Sequence, residues 1–215
     1  MPMKVLILGA NGATARLVTE RLLNETDNDL VLFLRHADRL SQYAHEERIT
    51  LVEGDAQNIS TLKAAMKDVD IVYSNLGGTD LADSTRAVLT AMKATGRTRL
   101  LFYSALGALH EVPGAFGEWN EQAIKDYLPG FRESDSLISH TPEITTTQFR
   151  PAWLTDNDEV NYETTARNEP FKGTEVSRKS VADFVVRLIK NPTLYANDSI
   201  GLDKPGTDGD KPAWL

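Results

Sequence analysis

Short apolar runs alternate along the chain with segments in which apolar residues recur at helical spacing. The runs predict strands at 4–8, 30–34, 49–54, 70–76, 99–104 and 145–150. The first two runs, KVLIL and LVLFL, are apolar at consecutive positions, whereas a strand wetted on one face would alternate. We therefore expect both faces of these strands to be covered.

The segments of helical period lie between the predicted strands. In the first of them, Ala13 and Leu17 are four residues apart on one side, as are Val18 and Leu22. Further helices are predicted at 60–67, 83–96 and 180–192, bounded by a capping serine, a glycine and a proline respectively. Alternation of strands and helices requires crossover connections. The sequence therefore predicts an α/β fold with a doubly wound parallel sheet, Rossmann-like, that binds ligands at the carboxyl ends of its strands.

Two long segments, 105–140 and 151–176, lack a clear periodic pattern, apart from a helix predicted near 117–127. Long irregular segments in a compact domain are usually functional loops. We expect a single domain over residues 1–215, in which these two segments form a small substrate lobe.

Charge and composition narrow the possible functions. The net charge is −8, from 31 acidic and 23 basic residues, and no basic cluster is suited to a nucleic acid backbone. The chain contains no cysteine, which excludes disulfides and thiolate chemistry, and its four histidines are scattered, so we expect no metal site. With no signal peptide or membrane span in the pattern, a cytoplasmic protein that binds neither nucleic acid nor membrane is expected. Its oligomeric state is left open.

The stretch LILGANGATARLV places glycines directly after the first predicted strand. A phosphate-binding loop needs a tight exit from the strand, a bare backbone and a small residue where helix meets strand, and Gly9, Gly12 and Ala15 meet these needs. Asn11 stands where the dinucleotide fingerprint has its second glycine. A cofactor loop is favoured over a purely structural turn. The candidate cofactor-binding residues of this loop are Gly9, Asn11, Gly12, Ala13, Thr14 and Ala15.

The end of the second predicted strand indicates which dinucleotide is bound. An NAD-preferring domain would place a carboxylate there, but the chain has Arg35, followed by Arg39. A guanidinium can bind a 2′-phosphate through charge-assisted hydrogen bonds. NADP is therefore favoured over NAD, and the alternative is that Arg35 is a solvated loop residue. Thr14 and Arg16 could also reach phosphate.

Six motifs in order resemble a known family: GANGATAR, LFLRHADRL, VEGDAQN, SNLGG, FYSALG and FRPAWLTD. The chain is similar, over about residues 3 to 203, to the atypical short-chain dehydrogenases/reductases of the NAD(P)H-binding, NmrA-like group, whose relatives include biliverdin/flavin reductases. The motifs are individually loose, and it is their succession that carries the resemblance.

The resemblance implies roles for residues at the strand ends. Asp55 and Ala56 would meet the adenine edge, and Ser104 would lie near the nicotinamide. The turn at Leu76, Gly77 and Gly78 would lie against ribose and phosphates, and Pro151 to Leu154 would form part of the nicotinamide wall. Each position also has a structural alternative, such as a side-chain turn at Asp55 or a cap at Ser104.

The usual proton relay of active short-chain dehydrogenases, a tyrosine followed four residues later by lysine, is missing. None of the six tyrosines has a lysine four residues on, and the nearest match reads Phe131 and Asp135. A reductase can still take its proton from water, with Ser104 or Tyr127 orienting the substrate. The sequence thus favours an NADP(H)-dependent oxidoreductase acting on a small flavin-, quinone- or carbonyl-like acceptor. The alternative is a non-catalytic NADP(H) sensor that acts through a protein partner.

Overall fold

A sheet of eight strands runs through the centre of the molecule in the computed structural model, which describes residues 2–215. The strands are β1 (Lys4–Leu8), β2 (Asp29–Leu34), β3 (Ile49–Glu53), β4 (Ile71–Ser74), β5 (Arg99–Tyr103), β6 (Thr145–Pro151), β7 (Trp153–Thr155), β8 (Glu163–Thr165), β9 (Glu175–Ser177) and β10 (Asp198–Asp203). The α-helices are α1 (Ala13–Glu25), α2 (Ile59–Ala65), α3 (Leu81–Thr95), α4 (Gly114–Ala123), α5 (Leu128–Ser139) and α6 (Arg178–Lys190), and a 3₁₀ helix covers Ala37–Tyr43.

The strand order is β3-β2-β1-β4-β5-β6-β10-β8. All neighbours are parallel except β8, which pairs antiparallel with β10 at the edge. Leu6 of β1 lies between Val31 of β2 and Val72 of β4. The order reverses between β1 and β4, and this switch point is where an open α/β sheet leaves a crevice for ligands. The predicted doubly wound parallel sheet is confirmed.

Helices cover both faces of the sheet. Alternate residues of β1 point to opposite sides, so Val5 and Ile7 pack in the layer that contains α1 and α6, whereas Leu6 and Leu8 pack in the layer that contains α2, α3 and α5. All four side chains are fully buried, each contributing about 1.5–3 kcal/mol by leaving water. The consecutive apolar positions of the early strands therefore reflect burial on both faces, as predicted.

The segment 105–140 contains two helices where one was predicted near 117–127. α4 ends at Ala123, and α5 begins at Leu128 with Pro129 in its first turn. Proline is tolerated there because the first backbone N–H groups of a helix have no intrahelical acceptor. The prediction of a single helix near 117–127 was wrong in its bounds and missed α5. The second helix was missed because Leu-Pro-Gly, with which it begins, is typical of a loop.

The two irregular segments of the sequence pack against each other. Trp153 Nε1 donates to Asn120 Oδ1 over 2.9 Å, and the backbone N–H of Phe171 donates to the carbonyl of Glu111 over 2.9 Å. β7 and β9 form a separate parallel pair within this region. Helix α5 also packs against α3, which joins part of the region to the main layers. Within residues 2–215, no helix combines the length and the apolar character needed to cross a membrane.

Candidate functional site

A cavity of about 510 Å³ lies at the carboxyl ends of β1 to β4, at the switch point of the sheet. We call it the polar cavity. It contains nine of the residues predicted to bind a cofactor: Gly9, Asn11, Gly12, Arg35, Arg39, Asp55, Ala56, Leu76 and Gly77. Its other lining residues are Phe33, Leu34, His36, Gly54, Asn75, Asp80 and Ser84. The fold thus brings four separate sequence motifs to one crevice.

The loop between β1 and α1 is fitted closely against Asn75. Gly9 has φ +73°, a conformation that L side chains rarely adopt, and a Cβ there would lie 2.7 Å from the carbonyl oxygen of Asn75. A Cβ on Gly12 would lie 2.3 Å from Nδ2 of the same residue. Glycine is therefore required at both positions by local packing, and the resulting backbone is bare on its cavity side.

The first turn of α1 carries backbone donors without acceptors. Within residues 2–215, the N–H groups of Ala13, Thr14 and Ala15 donate to no backbone or side-chain atom, whereas Gly12 donates to the carbonyl of Gly9 over 3.0 Å. No acidic residue lies in this first turn, so the positive end of the helix dipole is not neutralised by a side chain. Such a helix end is suited to an anion. Thr14 and Ala15 are buried, whereas Ala13, the first residue of the helix, is exposed.

A hydrogen bond from a buried tyrosine positions the side chain of Asn75. Tyr73 is fully buried and its hydroxyl donates to Asn75 Oδ1 over 2.8 Å. Burial raises the pKa of Tyr73 well above its ordinary value, so the hydroxyl stays protonated and can donate. The sequence analysis did not single out Asn75. The signal was available, because residues two apart in a strand lie on the same side and Asn75 follows Tyr73 by two.

Three basic side chains gather where β2 ends. Arg35, His36 and Arg39 line the polar cavity and are all exposed, and none forms an ion pair within the part of the chain that the structure describes. Across the cavity, Asp55 Oδ1 accepts from the backbone N–H of Gln57 over 2.9 Å, forming the side-chain turn considered above. The charges of the two arginines are thus available to an anion.

A second cavity, of about 440 Å³, lies at the carboxyl ends of β5 and β6. We call it the aromatic cavity. It is lined by Tyr103, Ser104, Ala105, Leu106, Ile124, Tyr127, Phe131, Pro151, Ala152, Trp153, Leu154, Arg178 and Trp214. The predicted residues Ser104, Tyr127 and Pro151 are all among them. Ser104 is 2% exposed and its hydroxyl has no hydrogen-bond partner within residues 2–215, whereas Tyr127 is 46% exposed at the rim.

The strand order places the aromatic cavity beside the polar cavity, because β4, which ends at the polar cavity, pairs with β5, which ends at the aromatic cavity. Gly78, which follows the polar-cavity residue Gly77, has φ +110°. Burial raises the pKa of Tyr103, at the end of β5, to about 12, and its hydroxyl has no hydrogen-bond partner within residues 2–215. The predicted residues Ala13, Thr14, Ala15 and Gly78 line neither cavity; they follow the polar-cavity residues Gly12 and Gly77 in sequence.

A buried ion pair supports the aromatic cavity. Arg150 of β6 is completely buried and its Nη1 lies 2.5 Å from Glu111 Oε1, while its Nε donates to Ser199 Oγ over 3.0 Å. Glu111 also accepts from the backbone N–H groups of Gly107 and Leu109, in the loop that follows Ser104. Arg150 is the arginine of the FRPAWLTD motif, and no role for it was evident from the sequence alone. It is the one charged residue in the strand TTTQFRP, and a charged residue in a buried strand is a sign of a buried ion pair.

Helix α5 carries Phe131 and Asp135, the nearest match in the sequence to a tyrosine followed four residues later by a lysine. Phe131 lines the aromatic cavity and supplies no hydroxyl. Asp135 accepts from Gln148 Nε2 over 2.7 Å and pairs with Arg167 over 2.9 Å. No group of three or more His, Asp or Glu side chains that could hold a metal ion occurs in residues 2–215.

Comparisons with known proteins agree with this geometry. A family model described as NAD(P)H-binding matches residues 9–192. A Rossmann-fold NAD(P)-binding family protein from Shigella flexneri is 39% identical, with 100% of each chain covered and a TM-score of 0.83. A wide-type short-chain dehydrogenase/reductase from Veillonella parvula, solved in complex with NADP, is 27% identical, covering 99% of this chain and 100% of that one, with a TM-score of 0.93.

Part of the chain is also similar to part of a plant enzyme. Eugenol synthase 1 of Petunia hybrida is 27% identical over 110 residues, which are 48% of this chain and 35% of the plant protein. The chain therefore matches only about a third of that relative's length. The family match spans most of the chain, the fold is that of nicotinamide-dependent reductases, and the resemblance to atypical short-chain dehydrogenases/reductases is confirmed. The chain belongs to the NAD(P)H-binding family.

Proposed function

We propose that this protein is an NADP(H)-dependent oxidoreductase that transfers hydride to a small flavin-, quinone- or carbonyl-like acceptor. The observation that carries the proposal is the pair of adjacent cavities at one edge of the sheet. One is polar, lined by unpaired cations and next to the free backbone donors of the first turn of α1, and the other is apolar and aromatic. This is the arrangement needed to bind a charged dinucleotide next to a flat organic acceptor.

The residues of the polar cavity fit a nicotinamide dinucleotide. The backbone N–H groups of Ala13, Thr14 and Ala15 would hold the diphosphate. Gly9 and Gly12 let this loop pack closely against Asn75, because a Cβ on either glycine would overlap that residue. As the family resemblance implies, Asp55 and Ala56 would meet the adenine edge, and the turn at Leu76, Gly77 and Gly78 would lie against ribose and phosphates.

Arg35 and Arg39 support NADP over NAD. Both guanidinium groups are exposed at the tip of β2 without an ion-pair partner within residues 2–215, and a 2′-phosphate is the additional anion that NADP would bring. His36 lies between them in sequence and lines the same cavity. The NADP complex of the Veillonella parvula protein supports the same choice.

The aromatic cavity would receive the acceptor, within a lobe formed by 105–140 and 151–176. NADPH, when bound, supplies the hydride. Ser104 has a free hydroxyl that can hydrogen-bond an acceptor oxygen or nitrogen, Tyr127 at the rim can orient the acceptor, and Pro151 fixes the backbone of the opposite wall. Because Phe131 supplies no hydroxyl, the proton would come from water that enters with the acceptor.

A thermal-shift comparison of NADP, NADPH, NAD and NADH tests the cofactor assignment. We expect stabilisation chiefly by the phosphorylated pair. Arg35→Gln removes one charge-assisted contact and should weaken NADP binding about 10-fold or more, with little change for NAD. Arg86→Gln is the matched control, because Arg86 is also exposed but lies on α3 outside both cavities. Equal shifts for all four nucleotides would contradict the preference for NADP.

A turnover assay distinguishes the proposed oxidoreductase from the alternative, a non-catalytic NADP(H) sensor. We expect steady oxidation of NADPH when flavin or quinone acceptors are added, and a lower rate in Ser104→Ala. Tight NADPH binding without turnover on any acceptor class would favour the sensor, which needs a protein partner rather than an acceptor. That partner would be sought by cross-linking the NADPH-bound protein in its native host extract.

A further inference from the structure

The aromatic cavity has one charged lining residue, Arg178, within the described part of the chain. Its other polar groups are the hydroxyls of Ser104, Tyr103 and Tyr127 and the indole nitrogens of Trp153 and Trp214. Arg178 and Tyr103 line the same cavity, and the buried hydroxyl of Tyr103 has no hydrogen-bond partner within residues 2–215. The cavity therefore combines flat apolar walls with a single cation.

Arg178 is only loosely engaged by the protein. Its Nη1 donates to Asp156 Oδ1 over 2.7 Å, and its remaining N–H groups donate to no atom in residues 2–215. The Arg178 side chain is 27% exposed, whereas that of Asp156 is 86% exposed. An ion pair with so exposed a partner is weak, so it is readily exchanged for another anion.

Helix stability does not account for a cation at this position. Arg178 is the first residue of α6, which is capped by Ser177 accepting from the N–H of Ser180 over 3.0 Å. The amino end of a helix favours anions, and a basic side chain there is unfavourable for the helix. A group that benefits from both the helix end and the guanidinium is an anion placed in the cavity.

We propose that Arg178 makes the aromatic cavity selective for planar, conjugated acceptors that carry an anionic group, such as a carboxylate, sulfonate or phosphate. The proposal rests on the proposed function and specifies its substrate class. The rings of Tyr127, Phe131, Trp153 and Trp214 offer the flat surfaces on which a conjugated ring stacks. The anionic group takes the guanidinium N–H groups that the protein leaves free, and Asp156 competes with it for the same cation.

The competition by Asp156 gives two variants with opposite expected effects. Arg178→Gln removes the cation, so an anionic acceptor loses a charge-assisted hydrogen bond and binds about 10-fold more weakly. Asp156→Asn removes the competitor and leaves the cation, so the same acceptor binds about 2- to 5-fold more tightly, in line with the small strength of an exposed ion pair. A neutral acceptor of the same ring system changes less than 2-fold in both variants.

The matched control is the neighbouring ion pair. Lys179 pairs with Asp158 over 2.5 Å, and both side chains are exposed and line neither cavity. Lys179→Gln removes the same charge from the same helix end one residue further on. If Arg178 acts only by adding positive charge at the helix end, Lys179→Gln weakens binding of the anionic acceptor as Arg178→Gln does. If Arg178 acts by contact in the cavity, Lys179→Gln leaves the binding of both acceptors unchanged.

The experiment uses 1,4-naphthoquinone and its 2-sulfonate as the neutral and anionic acceptors. KM and kcat are measured with NADPH for the wild type and the three variants, and the ratio of the two KM values is compared between proteins. Direct binding of both quinones is also measured by quenching of tryptophan fluorescence, which requires no turnover. We expect the KM ratio and the Kd ratio to change together in Arg178→Gln and to shift the other way in Asp156→Asn.

Equal effects of Arg178→Gln on the two quinones, or the same selective effect in Lys179→Gln, would overturn the proposal. Melting temperatures show whether each variant is folded, and Asp156→Asn provides a test that does not disturb Arg178 itself. NADPH-induced thermal shifts are recorded in parallel. Loss of NADPH binding in the wild type would count against the proposed function, whereas intact NADPH binding with no discrimination between quinones would count against the role of Arg178 alone.

Discussion

The two cavities lie at the same edge of one sheet but are built in different ways. The polar cavity is formed mainly by the short turns that follow β1, β2, β3 and β4, and its key groups are backbone N–H groups and glycines. The aromatic cavity takes side chains from the end of β5, from α5, from β7, from α6 and from the segment that contains Trp214. The first depends on local chain geometry, whereas the second depends on contacts between distant parts of the sequence.

Because of this difference, substitutions can alter ligand recognition more easily in the aromatic cavity than in the polar cavity. In the proposed function, backbone groups would recognise the diphosphate, so that recognition is fixed as soon as β1, α1 and the Asn75 turn are in place. Side chains would recognise the acceptor, and these can be exchanged one at a time on a support held by Arg150 and Glu111. The polar cavity is therefore the fixed half of the site and the aromatic cavity the adaptable half.

The largest effect is expected from removing the support of the aromatic cavity. Glu111→Ala leaves the completely buried Arg150 without its counter-ion, and we expect the free energy of unfolding to fall by about 3–5 kcal/mol. The measurement is urea denaturation followed by circular dichroism. Arg86→Ala, which breaks an ion pair whose two side chains are more than half exposed, should change it by less than about 1 kcal/mol. Similar losses in both variants would contradict the difference in burial on which this prediction depends.

A smaller effect is expected from filling the space beside the phosphate loop. In Gly12→Ala the new Cβ would meet Asn75 Nδ2 at 2.3 Å, so the loop must shift, and we expect a loss of about 1–3 kcal/mol in stability together with weaker NADP binding. Gly77→Ala is the control for stability, since a Cβ there has no neighbour within 4 Å. The double variant Gly12→Ala/Asn75→Ala should recover part of the loss in denaturation and in NADP titration. No recovery would mean that the contact with Asn75 is not the cause.

Asp203 predicts a dependence of stability on pH. It is fully buried at the end of β10, and burial raises its pKa from 3.8 to about 6, although it accepts a hydrogen bond from the N–H of Gly173. The folded protein therefore retains a proton that the unfolded chain releases, so stability is highest below about pH 4 with respect to this group and falls as the pH rises to about 6. We expect a decrease on the order of 3 kcal/mol across that window.

The test is chemical denaturation at a series of pH values for the wild type and for Asp203→Asn, which cannot ionise but keeps a carbonyl oxygen for Gly173. The variant should lack this decrease between about pH 4 and pH 6. Asp210→Asn, at an exposed position nearby in sequence, is the control and should behave as the wild type. A wild-type curve parallel to that of Asp203→Asn would show that Asp203 ionises normally.

The smallest effect is expected from Tyr73→Phe. The variant removes the hydroxyl that donates to Asn75 and leaves the buried ring, so it costs a single hydrogen bond, about 0.5–1.5 kcal/mol. Asn75 lines the polar cavity and not the aromatic cavity. We therefore expect NADP affinity to fall modestly, whereas quinone binding, measured by tryptophan fluorescence, stays unchanged. A change of equal size in both would indicate that the two cavities are not independent in this respect.

The sequence predicted the polar cavity well because its information is local. The strand, the glycines at positions 9 and 12 and the start of α1 follow each other within a dozen residues, and the doubly wound order then brings Asp55 and Gly77 to the same place. Asn75 was missed because its importance comes from its fit against the glycines rather than from its own chemistry.

The aromatic cavity was predicted only in part. Ser104 and Pro151 were identified at strand ends, and Tyr127 within the long segment that follows β5. Arg178 and Trp214 were not, because nothing in the pattern around either residue indicates that the chain returns to this edge of the sheet. β10 was missed for a related reason: its six residues DSIGLD begin and end with aspartate and include a glycine, so their burial is evident only from the pairing with β6.

The position of β10 has a consequence for synthesis of the chain. Arg150 is neutralised by Glu111, which precedes it, but two of its hydrogen bonds go to Ser199 in a strand made nearly 50 residues later. A nascent chain that has just completed β6 therefore has a guanidinium that only water can fully satisfy. The sheet can close on that side only when β10 leaves the ribosome, so the cavity edge at β6 should stay open to solvent until then.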